Sequence, residues 1–378
     1  MIDMARLAAC FDWNNTPAKE ILEVFGSASD IFEAGQREAA RRYPPLAGIA
    51  GRLFSSKTAE EAVRDIDWAI GHGIDILAAT DEEYPQRLLQ CPDAPLLLYR
   101  KGRCNFSRPR FLAIVGTRAS TQYGRRYCEK IIEGLAALAV KPVIVSGMAL
   151  GIDTHAHTFA LRYGLETIAV MGTGFNTIYP PSNEQLAEEI LQRGALVTEF
   201  SPFTPSYPLN FVRRNRIIAG LSDCTLVVES KSKGGGLITA QLAQDYNRSV
   251  FAVPGRMDDN TFRGCNQLIE DNVAAIVTGA RSIIKAMDWD TADARLPLAF
   301  GETGGGGSGD SAANGDGSNG KDSIKARITA FLLGHPESDA ETIAAGLGLP
   351  LADLSLPLLE LEMSGAISLI SGNKYSAN

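Results

Sequence analysis

The sequence predicts an α/β protein built on a parallel, doubly wound sheet, with helical segments before it and a small separate module after it. Three observations lead there. From residue 111 onward, short apolar runs rich in β-branched residues recur, and they read as strands buried on both faces. Amphipathic segments alternate with most of these runs, in the order of βα units. Several runs end in glycine, where a strand gives way to a loop.

Taken in order, the first hundred or so residues read as helical and irregular. "PAKEILEVFG" and "ASDIFEA" carry short amphipathic patterns, with Gly26 and Gly35 as helix stops. "YPQRLLQCPDAPLLLYRKG" is a proline-punctuated bridge ending in a short strand, "LLLY". The strand runs are "FLAIVG", "VIVSG", "TIAVMG", "ALVTEF", "TLVVES", "VFAVPG" and "AAIV". Helical segments such as "YCEKIIEGLAAL", "NEQLAEEILQRG" and "LITAQLAQDYN" sit between them. Residues 301–320, "GETGGGGSGDSAANGDGSNG", have no apolar residue large enough to anchor a fold and read as a flexible linker. Beyond it, "SIKARITAFLLG", "DAETIAAGLG" and "LADLSLPLLELEMSG" read as three helices, and "AISLISGNKYSA" as two strands around a turn. That order is the order of a winged helix. The expected boundaries are a helical domain over 1–75, the α/β domain over 76–290, a linker over 291–322 and the winged helix over 323–378.

Composition narrows the function. A chain of 378 residues implies two or three domains, and 45% hydrophobic with 21% charged residues is ordinary for a globular protein. No apolar run reaches the roughly 18 residues a membrane span needs, and the N-terminus lacks a basic stretch followed by an apolar core, so a cytoplasmic protein is expected. Cys10, Cys91, Cys104, Cys128, Cys224 and Cys265 are scattered singly and read as buried or free thiols rather than zinc ligands or disulfides. The net charge of −8 argues against a generally basic nucleic-acid coat. Between Phe111 and Met287 the two signs balance, so a local basic pocket is compatible with an acidic chain.

In a doubly wound sheet, ligands bind beyond the carboxyl ends of the strands, where the strand order reverses. The informative residues follow the strands directly. "GTRAST" offers Gly116 for a tight turn and Arg118, whose fork suits either a phosphate or a neighbouring carboxylate; spacing alone does not choose. In "SGMALGIDTHAH", Ser146 and Gly147 end a strand, Gly151 permits close approach, and Asp153 or Thr154 can cap the next helix. His155 and His157 fall about 200° apart on a helix, which argues against a metal pair. "GTGFNTIYPPSN" adds Gly172 and Gly174 to a concave, backbone-lined edge. "PLNFVRRNRIIAGLSD" carries Arg213, Arg214 and Arg216 near a helix start, where cations oppose the dipole and call for an anion. Salt bridges to Glu199 or Glu229 would account for one of the three. Gly234, Gly235 and Gly236, flanked by Lys231 and Lys233, make a nest of amides. A Pro254–Gly255 turn and Asn266 lie on the same edge. There is no GxxxxGK[ST] loop, no GxSxG and no acidic pair suited to metal-dependent phosphoryl transfer. This is the profile of a surface that holds phosphate without attacking it.

Together, "AIVGTRAST", "VSGMALGIDTHAH", "AVMGTGFNTIYPPSN", "NFVRRNRIIAGLSD", "GGGLITAQLA" and "VFAVPG…GCNQLI" resemble the DprA/Smf family of DNA-processing proteins over roughly residues 80–285. The resemblance implies an extended Rossmann-like domain that binds single-stranded DNA without sequence preference and forms homodimers. It also implies protection of incoming strands during natural transformation, loading of the RecA recombinase, and no catalytic activity. The N-terminal helices are similar to the family's SAM-like or helix-hairpin-helix region. In the family, the arginine of the first loop (here Arg118) and basic residues around the RNR segment contact DNA. The expected DNA-binding set is Gly116, Arg118, Ser146, Gly147, Gly172, Gly174, Phe211, Arg213, Arg214, Asn215, Arg216, Lys233 and Gly235, with no catalytic residue, metal or cofactor. A strand repeats its anions, so separated cationic and N–H sites along one edge suit it better than a single nucleotide; on that ground Arg118 is assigned to a DNA phosphate. Phe175, Tyr179 and Phe211 offer a partial aromatic complement, with core packing the stronger reading for Phe211.

The sequence departs from the family in two places. Pro181 stands where some relatives have a basic residue, and "KGGG" replaces Ser-Gly-Ser. The alternative enzyme reading, a nucleotide hydrolase acting on nucleoside monophosphates, wants a PGGxGT loop with a nearby glutamate, and "KGGGLITAQLAQD" has neither. A third reading makes the winged helix primary and the sheet edge vestigial. The module's third helix has no Lys or Arg and carries Asp353, Glu360 and Glu362, so it is expected to meet protein rather than duplex DNA.

Overall fold

The chain begins with α1 (Ile2–Cys10), α2 (Thr16–Phe25), α3 (Ala28–Arg42), α4 (Ala50–Leu53) and α5 (Ser56–Gly71). The computed structural model describes residues 1–11, 16–290 and 319–349, with 354, 357–358, 361–362, 366–370 and 374–377 beyond them. Gly26, at φ 91°, ends α2 as expected. Gly35, at φ 75° and ψ 162°, breaks α3 locally, but the helix resumes behind it. These helices bury Leu7, Ile21, Ile31, Leu46 and Leu53 against one another and against Leu96 and Leu97.

The α/β elements follow: β1 (Asp75–Ala78), α6 (Gln86–Leu89), β2 (Leu97–Gly102), β3 (Phe111–Val115), α7 (Gln122–Ala136), β4 (Val143–Ser146), α8 (Ile152–Arg162), β5 (Thr167–Val170), α9 (Glu184–Leu191) and β6 (Gly194–Thr198). Then come α10 (Pro208–Gly220), β7 (Cys224–Val227), α11 (Gly235–Asp245), β8 (Ser249–Ala252), α12 (Arg263–Glu270), β9 (Ala275–Ile276) and α13 (Ala280–Ala286). The strand order is β1-β2-β6-β5-β4-β3-β7-β8-β9. From β3 to β9 every pairing is parallel, for example Ala113 with Val145 and with Thr225. The wholly parallel expectation needs one correction. β2 pairs antiparallel with β6, and β1, unforeseen in the sequence, pairs antiparallel with β2, so the sheet is mixed. Strand order reverses beside β3, whose neighbours are β4 and β7, and the crevice therefore opens past Val115 and Val227.

The sheet's apolar runs form the main core, with Phe111, Ile144, Phe159, Val197 and Leu226 all buried. Met1–Pro297 fold as one unit and Leu298–Asn378 as another. In the second unit are α14 (Asn319–Gly334), β10 (Ser338–Asp339), α15 (Ala340–Leu347), β11 (Ile367–Ile370) and β12 (Lys374–Ala377), with sheet order β10-β12-β11. Ile328, Leu332, Ile343, Leu354, Leu358 and Leu361 build its core. The linker reading over 291–322 lies largely outside the described residues, and α14 begins inside its end. Much of the third helix of this module also lies outside them.

His157 sits in the first core with no exposed surface, its Nδ1 2.7 Å from Thr167 Oγ1. Burial, with the Arg214 charge assisting, pushes its imidazole down to about 3. The unfolded chain protonates near the usual value, so between roughly pH 6.5 and 3 it binds the extra proton, and stability falls as pH falls through that window by at most about 1.4 kcal/mol per unit. Urea unfolding of His157→Asn followed from pH 7 to 4.5 is expected to give a shallower decline than the parent chain.

Candidate nucleic-acid interface

Arg118 leaves the end of β3 on a loop held from three sides. Thr117 N–H donates to Glu229 O at 2.7 Å, and Ile152 N–H donates to Thr117 O at 3.1 Å. Thr121 caps α7 by accepting from Gly124 N–H, while Glu229 Oε2 accepts from Thr121 N–H and its hydroxyl. Gly151, at φ 77°, starts α8 so close to this loop that a Cβ would strike the carbonyls of Thr117 and Arg118. Ser120 Oγ lies 3.0 Å from His155 Nε2. Burial, then the Arg125 charge, lowers the His155 imidazole. On this scaffold Arg118 is exposed and makes no ion pair among the described residues. Its guanidinium carbon stands 5.7 Å from the centre of the Phe211 ring.

The Arg213–Arg216 cluster divides. At about 100° per residue, neighbouring positions on α10 face different surroundings. Arg214, 3% exposed, turns inward and donates to the carbonyls of Gly147 and Val170. Burial pushes it down to about 10, with the Asp153 carboxylate opposing, so it stays cationic at neutral pH. Arg216, also 3% exposed, pairs with Glu199. Burial raises that carboxyl and Arg216 opposes the rise. Arg213 turns towards Glu199 in a separate cleft. Asn215 stays at the rim, its amide 3.5 Å from Gly235 O.

Several expected contact residues therefore need correction. Arg214 and Arg216 are not free cations, because carbonyls and a carboxylate of the same chain already occupy them. Ser146 is fully buried and donates to Ile114 O. Gly147 and Gly172 are covered by α10. A Cβ on the first would meet the Arg214 guanidinium, and on the second the Phe211 ring. Gly174 lies against the carbonyls of Ser201 and Pro202. Asp153 does not cap α8. It is buried, accepts from Ala149 N–H at 3.3 Å, and has its carboxyl raised by burial against the pull of Arg214. Asn266 braces the Pro254–Gly255 turn, accepting from Gly255 N–H and donating to its carbonyl.

What remains open is a shorter rim. It comprises Arg118 on the β3 loop, Phe211 and Asn215 on α10, and Lys233 and Gly235 at the start of α11, where Gly235 has free space around it; the expected contact Gly116 instead packs beneath the loop, where a Cβ would strike Ile152 and the Glu229 carbonyl. Tyr179 joins it, its ring 5.1 Å from that of Phe211. The sequence reading passed over Arg125, which is exposed on the first turns of α7 and acts on His155 beside the Arg118 loop. Its place one turn after the loop was the available signal.

This is a Rossmann-like α/β protein whose strand-end crevice carries an exposed guanidinium, without an ion pair among the described residues, beside an aromatic ring. The family model described as DNA recombination-mediator protein A matches residues 75–288. The chain is 39% identical over 209 residues to the DNA processing protein DprA of Streptococcus pneumoniae, spanning 55% of this chain and 73% of that one. It is 34% identical over 304 residues to Protein Smf of Escherichia coli, spanning 79% and 76%. The X-ray structure of the Streptococcus pneumoniae DprA superposes with a TM-score of 0.58 at 32% identity, over 74% of this chain and 95% of that one. A Helicobacter pylori DprA structure, described as giving insight into a single-stranded DNA binding mode, superposes with a TM-score of 0.52 at 30% identity, over 57% and 96%. The chain belongs to the DNA recombination-mediator protein A family, the DprA/Smf proteins.

The keystone role of Arg214 has a measurable consequence. Arg214→Met leaves two strand-end carbonyls without their donor and removes the positive charge that acts on the buried Asp153, and is expected to destabilise the first unit by about 3–5 kcal/mol in urea unfolding.

Proposed function

We propose that this protein binds single-stranded DNA along the rim of the β3, α10 and α11 loops, without catalysis, protects the strand and delivers it to a RecA-type recombinase. The observation that carries this reading is Arg118, exposed, without an ion pair among the described residues, and set beside the Phe211 ring at the strand-order reversal. A guanidinium for phosphate and a ring for a base are the two parts of a sequence-tolerant strand site. Lys233, the Gly235 amide and Arg125 extend it along one edge, as a repeating anion requires. The recombination-mediator description of the family and the strand-binding relative support it further. Among the described residues no group of three potential ligands is placed to hold a metal ion, and no helix is long and apolar enough to cross a membrane.

The same reading takes the protein as a cytoplasmic homodimer. Val212 on α10 and Ile238 on α11 are exposed apolar side chains on two helices that pack together, as a self-association surface needs. The second unit is read as a winged helix from its order of helices and its β11–β12 pair, and α1–α5 as the SAM-like or helix-hairpin-helix domain. Residues 351–365, read from the sequence as the module's third helix, carry no Lys or Arg, which favours a protein partner.

Fluorescence polarisation with labelled oligonucleotides tests the assignment. Arg118→Ala should weaken oligo-dT and oligo-dC binding by the same factor and reduce the slope of log affinity against log salt by about one. Phe211→Ala should cost about 1–3 kcal/mol with the slope unchanged. Normal binding by Arg118→Ala at moderate salt would remove the rim from consideration.

A further inference from the structure

The carboxyl ends of the strands continue past the rim, from β3 through β7 to β8. At the β8 end stands Tyr123, on the first turn of α7, with 43% of its surface exposed. Its ring is fixed rather than free. The hydroxyl donates to Pro254 O at 3.4 Å, just beyond β8. The ring centre lies 4.4 Å from that of Tyr127 and, in an edge-on contact, 5.1 Å from that of the buried Phe262. An exposed ring that is already held loses little freedom when a flat partner covers it.

The turn that carries Tyr123 is tied to the end of β7. Thr121, two residues earlier, gives its N–H and its hydroxyl to the Glu229 carboxylate, and a Cβ on Gly124 would strike the same group. Lys231 follows Glu229 by two residues, is exposed and makes no ion pair among the described residues. The acidic side chains of the loop after β8 are already engaged. Asp258 pairs with Arg256 at 3.1 Å, and Asp259 accepts from the N–H and hydroxyl of Thr261.

Along the sheet edge the order is Phe211 against Gly172 beyond β5, Arg118 beyond β3, Lys231 beyond β7 and Tyr123 at Pro254 beyond β8. Four inter-strand steps, each about 4.8 Å, set the two rings about 19 Å apart at the level of the strand ends. A ring, two cations and a second ring over that length suit the bases and phosphates of a strand several nucleotides long.

We propose that Tyr123 is a second stacking platform for the bound strand, taking a base several nucleotides away from the one on Phe211, with Lys231 on a phosphate between them. The inference rests on the strand-binding reading and lengthens its site from the β5 end of the sheet to the β8 end. Every base has a flat face, so the platform adds affinity without adding sequence preference.

The full chain is tested by fluorescence polarisation with oligo-dT and by photocrosslinking to oligonucleotides that carry one iodouracil, which bonds to an aromatic ring it stacks on. Tyr123→Ala and Tyr123→Leu should each weaken binding about 5- to 100-fold with the salt slope unchanged, and Tyr123→Phe should bind as the parent chain does. Lys231→Ala should reduce the slope by about one. Leucine still covers Phe262, so a loss seen in Tyr123→Leu at an unchanged melting temperature reports the ring and not the fold. In the parent chain, crosslinks should fall on Tyr123 and on Phe211 from iodouracils several nucleotides apart. Parent-like binding by Tyr123→Leu, an unchanged slope in Lys231→Ala, or no crosslink to Tyr123 from any iodouracil position overturns the platform. Failure of the rim gives a different result, because there Arg118→Ala binds normally. Weakened binding by Arg118→Ala with parent-like Tyr123 variants keeps the rim and removes only its extension.

Discussion

The geometry of the crevice depends on one buried cation. Arg214 crosses from α10 to the carboxyl ends of β4 and β5, where it donates to Gly147 O and Val170 O. Strand-end carbonyls pointing into a protein interior need donors, and a guanidinium supplies several from one side chain. Asp153, buried at the start of α8, supplies the opposite charge that makes the burial tolerable. This bracket fixes the first turns of α10 over the sheet. With them it places Phe211 on Gly172 and beside Arg118. The glycines at the ends of β4 and β5 are thus required by α10 rather than by a ligand.

The same helix explains how an acidic chain can offer a cationic edge. Three arginines within four residues would make a strong local field if all were free. Helical periodicity sends Arg214 to carbonyls, Arg216 to Glu199 and Arg213 into a second cavity. What faces solvent at the crevice is a sparse set, Arg118, Arg125 and Lys233, without carboxylate partners among the described residues. Cations spaced at intervals without carboxylate partners among the described residues suit a polyanion better than a single compact anion.

The antiparallel edge formed by β1 and β2 has its own consequence. It ties the helices α1–α5 to the sheet through Leu96 and Leu97, so that residues 1–297 fold as one unit. The cavity lined by Glu199 and Arg213 lies in that junction. It exists because two layers meet there without filling the space between them.

The α/β class, the positions of β2 to β9, the exposed Arg118 loop and the close approach at Gly151 were legible in the sequence, because local signals carry them. β-branched runs bury on both faces, and a glycine with positive φ is a property of its own backbone. Family membership was legible too, from the order of motifs. The sequence could not tell which of Arg213, Arg214 and Arg216 was free, that Asp153 serves Arg214 rather than a helix end, or that β1 and β2 run antiparallel to the rest. Those outcomes depend on what a side chain meets across the fold. A charge is equally charged in water or between two carbonyls, and only the packing of α10 onto β4 and β5 decides which.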